Sequence, residues 1–329
     1  MATPIVLFTD LEPDDVLAIG VLAARGVPCA LCVVGEGNPH AKLPRAAAYL
    51  HAAHVTAPAG PGPTRVLAGC ASAKLFPGEA AAESPAAVFN TAAFAAALDE
   101  CADAGATTLL CLKPPRELAA LLDEQPEVAR RVFARLRLVL YGSFNIRQLA
   151  PGSAAALLNA DTSPFARVEL YESHGGTAEG VKNINPETCP ALFDAADAAA
   201  GPSLLRDVMR TWDDDVLRDC DETCAGCEAA MRGGDARAAA TWKRNDSCRT
   251  AVRANFGRQF VAADAVLAAL LDNAAAAEYL LPVAVDFAVT PYPPTSRVPA
   301  PPPASHKLWK YIGVPWDLVQ AQLARVCWF

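Results

Sequence analysis

Short apolar runs alternate with stretches of helical periodicity through the first half of the chain. Runs with mostly apolar residues at 4–9, 29–34, 65–68, 107–112, 136–141 and 167–172 have the length of strands. The Ala- and Leu-rich stretches 43–54, 91–103 and 115–123 between them predict helices. This alternation predicts βαβ units and an α/β fold, a Rossmann-like, mostly parallel open sheet flanked by helices. Residues 191–280 read as almost wholly helical, with polar interruptions at 233–235 and 244–249, so the C-terminal half is expected to be largely helical. The Pro-rich segment 291–303 predicts a surface connection without regular structure. The last segment, 304–329, carries aromatic residues from Trp309 onward and predicts one more short helix that docks on the body. No internal repeat divides the 329 residues, which are read as a single domain.

Composition narrows the function classes. Hydrophobic residues make up 53% of the chain, enough for a large core. The net charge of -8 leaves no basic stripe to pair with phosphates, so neither a nucleic acid nor a membrane surface is expected as partner. The N-terminus lacks the basic region of a signal peptide, and Glu278 and Asp286 interrupt the best candidate for a membrane span. Eleven cysteines, an odd number, many of them in apolar runs such as Cys29, Cys32 and Cys111, fit a reducing compartment and a cytoplasmic protein. Cys220, Cys224 and Cys227, with Cys248 further on, have two gaps short enough for chelation. No standard zinc spacing is met, which favours a helical segment with incidental cysteines.

The chemistry concentrates in Thr9-Asp10-Leu11-Glu12-Pro13-Asp14-Asp15, between the strand-like run Ile5-Val6-Leu7-Phe8 and the helical run that begins at Val16. Pro13 suits the first helical position, and Asp14 and Asp15 suit the first turn, where the helix dipole favours negative charge. The cluster then sits at the carboxyl end of a first parallel strand, where open α/β sheets bind ligands. Carboxylates converging there repel one another unless a cation joins them, and all-oxygen ligation points to calcium or magnesium. Acidic first turns also occur on plain helical surfaces, so the cluster alone does not decide the matter.

Taken in order along the chain, these motifs resemble the nucleoside hydrolases, the calcium-dependent N-ribohydrolases of the inosine–uridine type. The family opens with a strand followed by Asp-x-Asp-x-x-x-Asp-Asp. Its last three aspartates correspond to Asp10, Asp14 and Asp15, and Phe8 stands at the first. Val34-Gly35-Glu36-Gly37-Asn38 resembles the family's Gly-Asn pair. Val66-Leu67-Ala68-Gly69-Cys70 resembles its Gly-containing strand end. Leu110-Cys111-Leu112-Lys113-Pro114-Pro115-Arg116 resembles the Gly-Pro-Leu-Thr-Asn segment, with Arg116 where the family's metal-binding Thr carbonyl lies. Tyr141-Gly142-Ser143-Phe144-Asn145 resembles a compressed strand end with its Phe-Asn pair, and Asp264 falls where the family has its last carboxylate ligand. Ala263 replaces the His that precedes that carboxylate in the inosine–uridine type.

The resemblance implies the nucleoside hydrolase fold, a Ca2+ ion held by Asp10, Asp15, Asp264 and the Arg116 carbonyl, and Asp10 as general base. It implies that Asp14, Asn38 and Asn145 hold ribose hydroxyls, and that the protein forms dimers or tetramers acting on a small-molecule nucleoside. With no His at 263, Trp242, Tyr171 and His174 are candidates to assist the leaving base. Two other readings compete. Phe8-Thr9-Asp10-Leu11-Glu12 resembles the strand end of a haloacid-dehalogenase-type phosphatase, with Asp10 as nucleophile and magnesium as cofactor, although that fold wants Asp where Glu12 stands. A sugar-binding scaffold without turnover is the third reading.

Overall fold

The computed structural model describes residues 2–56, 64–72, 89–142, 145–159, 161–171, 184–198, 203–258, 263–285, 287, 296–297, 302–303 and 305–326. Six strands form inside the six apolar runs: β1 (Ile5–Thr9), β2 (Cys29–Val34), β3 (Arg65–Ala68), β4 (Thr108–Cys111), β5 (Arg137–Tyr141) and β6 (Arg167–Tyr171). The helices between and after them are α1 (Pro13–Ala24), α2 (Pro39–Thr56), α3 (Thr91–Asp103), α4 (Arg116–Glu124), α5 (Pro126–Phe133) and α6 (Pro151–Leu158). The C-terminal half supplies α7 (Pro190–Ala198), α8 (Leu204–Arg232), α9 (Ala238–Ala254), α10 (Ala263–Leu270) and α11 (Trp316–Leu323), with the short strands β7 (Leu280–Ala284), β8 (Ser296–Arg297) and β9 (Leu308–Tyr311).

The sheet runs β3-β2-β1-β4-β5-β6-β9-β7-β8. β1 to β6 pair parallel with one another, β9 pairs parallel with β6, and β7 is antiparallel to β9 and to β8. Chain order reverses between β1 and β4, so the crevice at their carboxyl ends is the switch point where doubly wound sheets take ligands. Side chains alternate between the faces of each strand, and two cores result. Ile5 and Leu7 of β1 pack with α1, α2, α10 and α11, through residues such as Leu17, Leu50, Val266 and Leu323. Val6 and Phe8 pack on the other face with α3 to α6, through Phe94, Leu118, Phe133 and Leu157.

Three expectations are corrected. The polar stretch 244–249 does not interrupt a helix but lies within α9, where Arg249 pairs with Asp221 of α8 and with Asp246. Its polarity marks the pairing face of a helical hairpin. The break at 233–235 does form, with Gly234 at φ 92°. The segment 291–303 is not wholly irregular, since its proline-free Ser296–Arg297 pairs antiparallel with β7. The C-terminal segment forms a helix but also inserts β9 between β6 and β7. Among the described residues, no helix is long and apolar enough to cross a membrane.

Candidate metal centre

β1 ends at Thr9, and the chain turns through Asp10 and Leu11 before α1 begins. Leu11 takes φ 60°, a left-handed conformation uncommon for a side chain of its size, and its N–H donates to Thr9 Oγ1 at 3.0 Å. Such turns persist where their surroundings hold them. Lys42, buried in the first turns of α2, supplies part of that hold. Its Nζ donates to the Asp10 carbonyl at 2.9 Å and to the Gly35 carbonyl at 3.4 Å, tying the ends of β1 and β2 together. Pro13 takes the first helical position, and Asp14 and Asp15 fall in the first turn. Asp264 falls in the first turn of α10, which packs along α1. Two helix N-termini therefore bring their carboxylates to one place.

Among the described residues, Asp14, Asp15 and Asp264 form a group of buried side chains whose ligand oxygens all lie within 4.8 Å of one another. Both Asp15 oxygens and Oδ1 of Asp264 are buried without a hydrogen-bond partner. A buried polar atom left unpaired is costly, and three of them facing like charges are a donor set made for a hard cation. The protonation energetics agree. Burial, then the charges of Glu12 and Asp10, push Asp14 up to about 8. Burial, then Asp14, push Asp15 up to about 7. Burial, then Asp14, Asp15, Asp10 and Glu12, push Asp264 well above the carboxylate range. Asp10 itself is half-buried at the rim of the group.

These shifts give a prediction with a definite sign. A carboxyl that holds its proton more tightly folded than unfolded stabilises the fold at low pH, and that contribution is lost as pH rises through the folded-state value. The unfolded value is 3.8, and the folded values for Asp14 and Asp15 are about 8 and about 7. The chelator-treated protein should therefore lose stability between about pH 4 and about pH 8, by about 1.4 kcal/mol per pH unit for each proton held only in the folded state. Calcium should raise the melting temperature strongly near pH 8 and little near pH 5. Thermal unfolding with chelator and with calcium at both pH values checks this, and equal shifts at the two pH values would remove the cluster from the linkage.

Around the carboxylates lies a second set of buried charges. Lys113 Nζ lies 2.7 and 2.6 Å from the two oxygens of Glu117, and both side chains are fully buried. Glu117 Oε1 also accepts the Cys70 N–H at 2.6 Å. Gly35 and Gly69, at the ends of β2 and β3, make room for this pair: a Cβ at Gly35 would overlap the Lys113 ammonium, and one at Gly69 the Glu117 carboxylate. Nearby, Arg116 Nε sits 3.0 Å from buried Glu36, which takes φ 59°, and the guanidinium also reaches Gln148 at 3.0 Å.

The residues singled out from sequence fall in different places. Asp10, Asp14 and Asp15 at the β1 end meet Asp264, which lies about 250 residues further on. The tight ligand group contains Asp14, which the resemblance assigns to the ribose, while Asp10 stands beside it. Arg116 opens α4 at the β4 end, across the switch point from Asp10. Asn38 caps α2, with Oδ1 accepting the Ala41 N–H at 3.3 Å. Asn145 is buried, and its Nδ2 donates to the carbonyls of Leu112 at 2.9 Å and Tyr141 at 3.2 Å, which joins the ends of β4 and β5. Trp242 belongs to the α8–α9 hairpin, where its Nε1 donates to Glu228 at 3.0 Å. His174 lies outside the described residues. Tyr171 is fully buried, its hydroxyl has no hydrogen-bond partner, and burial, then Tyr141 and Asp264, hold it as a neutral phenol. Sequence reasoning missed Lys42, because a lysine in a helix's first turns reads as solvent-facing until α2 is placed over the β1 end.

The fold resembles that of solved nucleoside hydrolases. An inosine-guanosine nucleoside hydrolase superposes with a TM-score of 0.55 at 12% identity, with 98% of each chain covered. A plant nucleoside hydrolase superposes with a TM-score of 0.56 at 12% identity, with 99% of each chain covered. No protein-family model matches the sequence, and no curated protein matches it. The likeness is one of fold, over the full length of the chain.

Proposed function

We propose that this chain hydrolyses the N-glycosidic bond of a ribonucleoside or a related N-riboside, with Ca2+ as cofactor. The observation that carries the proposal is the group Asp14, Asp15 and Asp264, buried with unpartnered oxygens at the switch point of a nucleoside-hydrolase-like sheet. Asp15 and Asp264 would hold the ion, with Asp14 in the same close set and Asp10 and the Arg116 carbonyl completing it as the resemblance implies. When bound, calcium lowers the pKa of a water and grips vicinal sugar hydroxyls.

The chain's own groups supply the rest. Asp10, half-buried at the rim, takes a proton from the attacking water. Asp14 and Asn38 accept hydrogen bonds from ribose hydroxyls and orient the sugar as it passes through an oxocarbenium-like state. Asn145 contributes less than the resemblance implies, because its amide nitrogen is committed to two backbone carbonyls and only Oδ1 is left for a hydroxyl. The fold favours this reading over a phosphatase, because the ligand group needs Asp264, which the phosphatase reading leaves unused.

The test is riboside hydrolysis by the purified chain with calcium, with chelator, and in Asp10→Ala. Turnover should depend on calcium and vanish in the variant. Phosphate-ester cleavage with magnesium and no riboside cleavage would establish the phosphatase instead. Riboside binding without hydrolysis would establish a sugar-binding scaffold.

A further inference from the structure

β1 leaves the sheet at its carboxyl end with its ladder bonds made. The Phe8 carbonyl accepts the Leu112 N–H at 3.0 Å on the β4 side, and the Thr9 carbonyl accepts the Gly35 N–H at 3.0 Å on the β2 side. The next carbonyl, that of Asp10, lies past the last ladder bond and needs a donor from elsewhere. Lys42 Nζ supplies one at 2.9 Å, from a side chain only 1% exposed. The chain delivers that lysine locally. Glu36 and Gly37, left-handed at φ 59° and 57°, turn it off β2, and α2 begins at Pro39, which sets Lys42 in the first turns over the strand ends. A peptide carbonyl that closes an ordinary loop is satisfied by water or a neutral donor, and burying an ammonium is costly. What sets the Asp10 carbonyl apart is the peptide it belongs to. That peptide joins Asp10 to Leu11, whose φ of 60° is uncommon for its size. Released, the peptide can flip, Leu11 returns to an ordinary φ, and Asp10 is re-aimed relative to Asp14 and Asp15.

We propose that Lys42 is the positioning residue of Asp10: by pinning the Asp10 carbonyl it holds the left-handed Leu11 turn and keeps the Asp10 carboxylate at the rim of the group Asp14, Asp15 and Asp264. Its second bond, to the Gly35 carbonyl at 3.4 Å, anchors the ammonium to the β2 end, so Asp10 is aimed from a fixed point on the neighbouring strand. The effect on turnover rests on the riboside reading, and the effect on ion binding does not. Residues that orient the ligands of a metal, without touching it, contribute about 10–100-fold to affinity or activity. A general base misplaced by about 1 Å costs about 10²-fold in rate.

Lys42→Met fills the same space without a donor. Calcium dissociation constants are measured by titration calorimetry for wild type, Lys42→Met, Asp10→Ala and the double variant, with kcat and KM on a riboside for the first two. In the wild-type background Lys42→Met should weaken calcium binding by about 10-fold and lower kcat by about 10–100-fold, with KM changed by less than about threefold. In the Asp10→Ala background it should leave calcium binding unchanged, because no carboxylate is left to aim. If Lys42→Met does not fold, Lys42→Gln, whose amide donates one atom short of the ammonium, carries the same comparison with a smaller effect in the same direction. Calcium binding weakened equally in both backgrounds, or weakened in neither, would show Lys42 to be a staple of the fold and overturn the proposal, as would an unchanged kcat. A wild-type protein inert toward ribosides, with the calcium difference between backgrounds intact, would end the riboside reading and support the role of Lys42.

Discussion

Asp264→Asn should lower riboside turnover by about 10³-fold or more and at the same time raise the stability of the chelator-treated protein. The two effects have one cause. The substitution keeps the shape of the side chain and removes a charge from a buried group in which Asp14, Asp15, Asp10 and Glu12 already repel it. Without a cation, that charge is a liability and its removal relieves the fold. With a cation, it is a ligand and its removal weakens the site. Melting temperatures with and without calcium, beside kcat, separate these terms: the variant should melt higher than wild type in chelator and respond little to calcium. A variant that melts lower in chelator would show Asp264 to be an ordinary structural carboxylate, and wild-type turnover would remove it from the site.

The second large effect concerns the leaving group. Ala263 opens α10 where the inosine–uridine type has a His, so the acid which that family places beside the last carboxylate is missing from this position. Tyr171, held as a neutral phenol by burial, is a poor proton donor to a departing base. General-acid assistance is worth about 10²–10⁴-fold, so p-nitrophenyl riboside, whose leaving group needs no proton, should be cleaved faster than inosine or uridine by about that factor. Steady-state kcat/KM values for the three substrates check this. If uridine matches the activated riboside, another acid serves the leaving base, and His174 is the first residue to substitute.

Much of this fold was legible because the central parallel strands β1, β2 and β4 are buried and read as short apolar runs. The four residues Ile5-Val6-Leu7-Phe8 of β1 serve both cores at once and include no polar position. β9 was not legible, since Leu308-Trp309-Lys310-Tyr311 alternates in size and polarity, and Lys310 is buried only because β6 and β7 flank it. β7 was hidden in the same way: the alanines at 274–277 favour a helix, yet they open a six-residue 3-10 segment, Ala274–Tyr279, and Leu280 leaves it to pair with Tyr311. Asp10, Asp14 and Asp15 were legible as a site because a local turn brings them together. Asp264 was legible only by its order in the family pattern, for nothing within 263–270 shows that α10 lies along α1. Lys42, Glu36 and the Arg116 guanidinium were beyond reach, because each is defined by a partner that the chain delivers from another strand end.

The close fit of Lys113 and Glu117 against Gly35 and Gly69 also bears on how this chain can change over generations. Losing either charge alone strands the other in the interior, and giving either glycine a side chain crowds the pair while it is still in place. The four positions are therefore expected to change together. A descendant with an apolar pair and larger residues at the strand ends is a viable destination, but every single-step path to it crosses a valley.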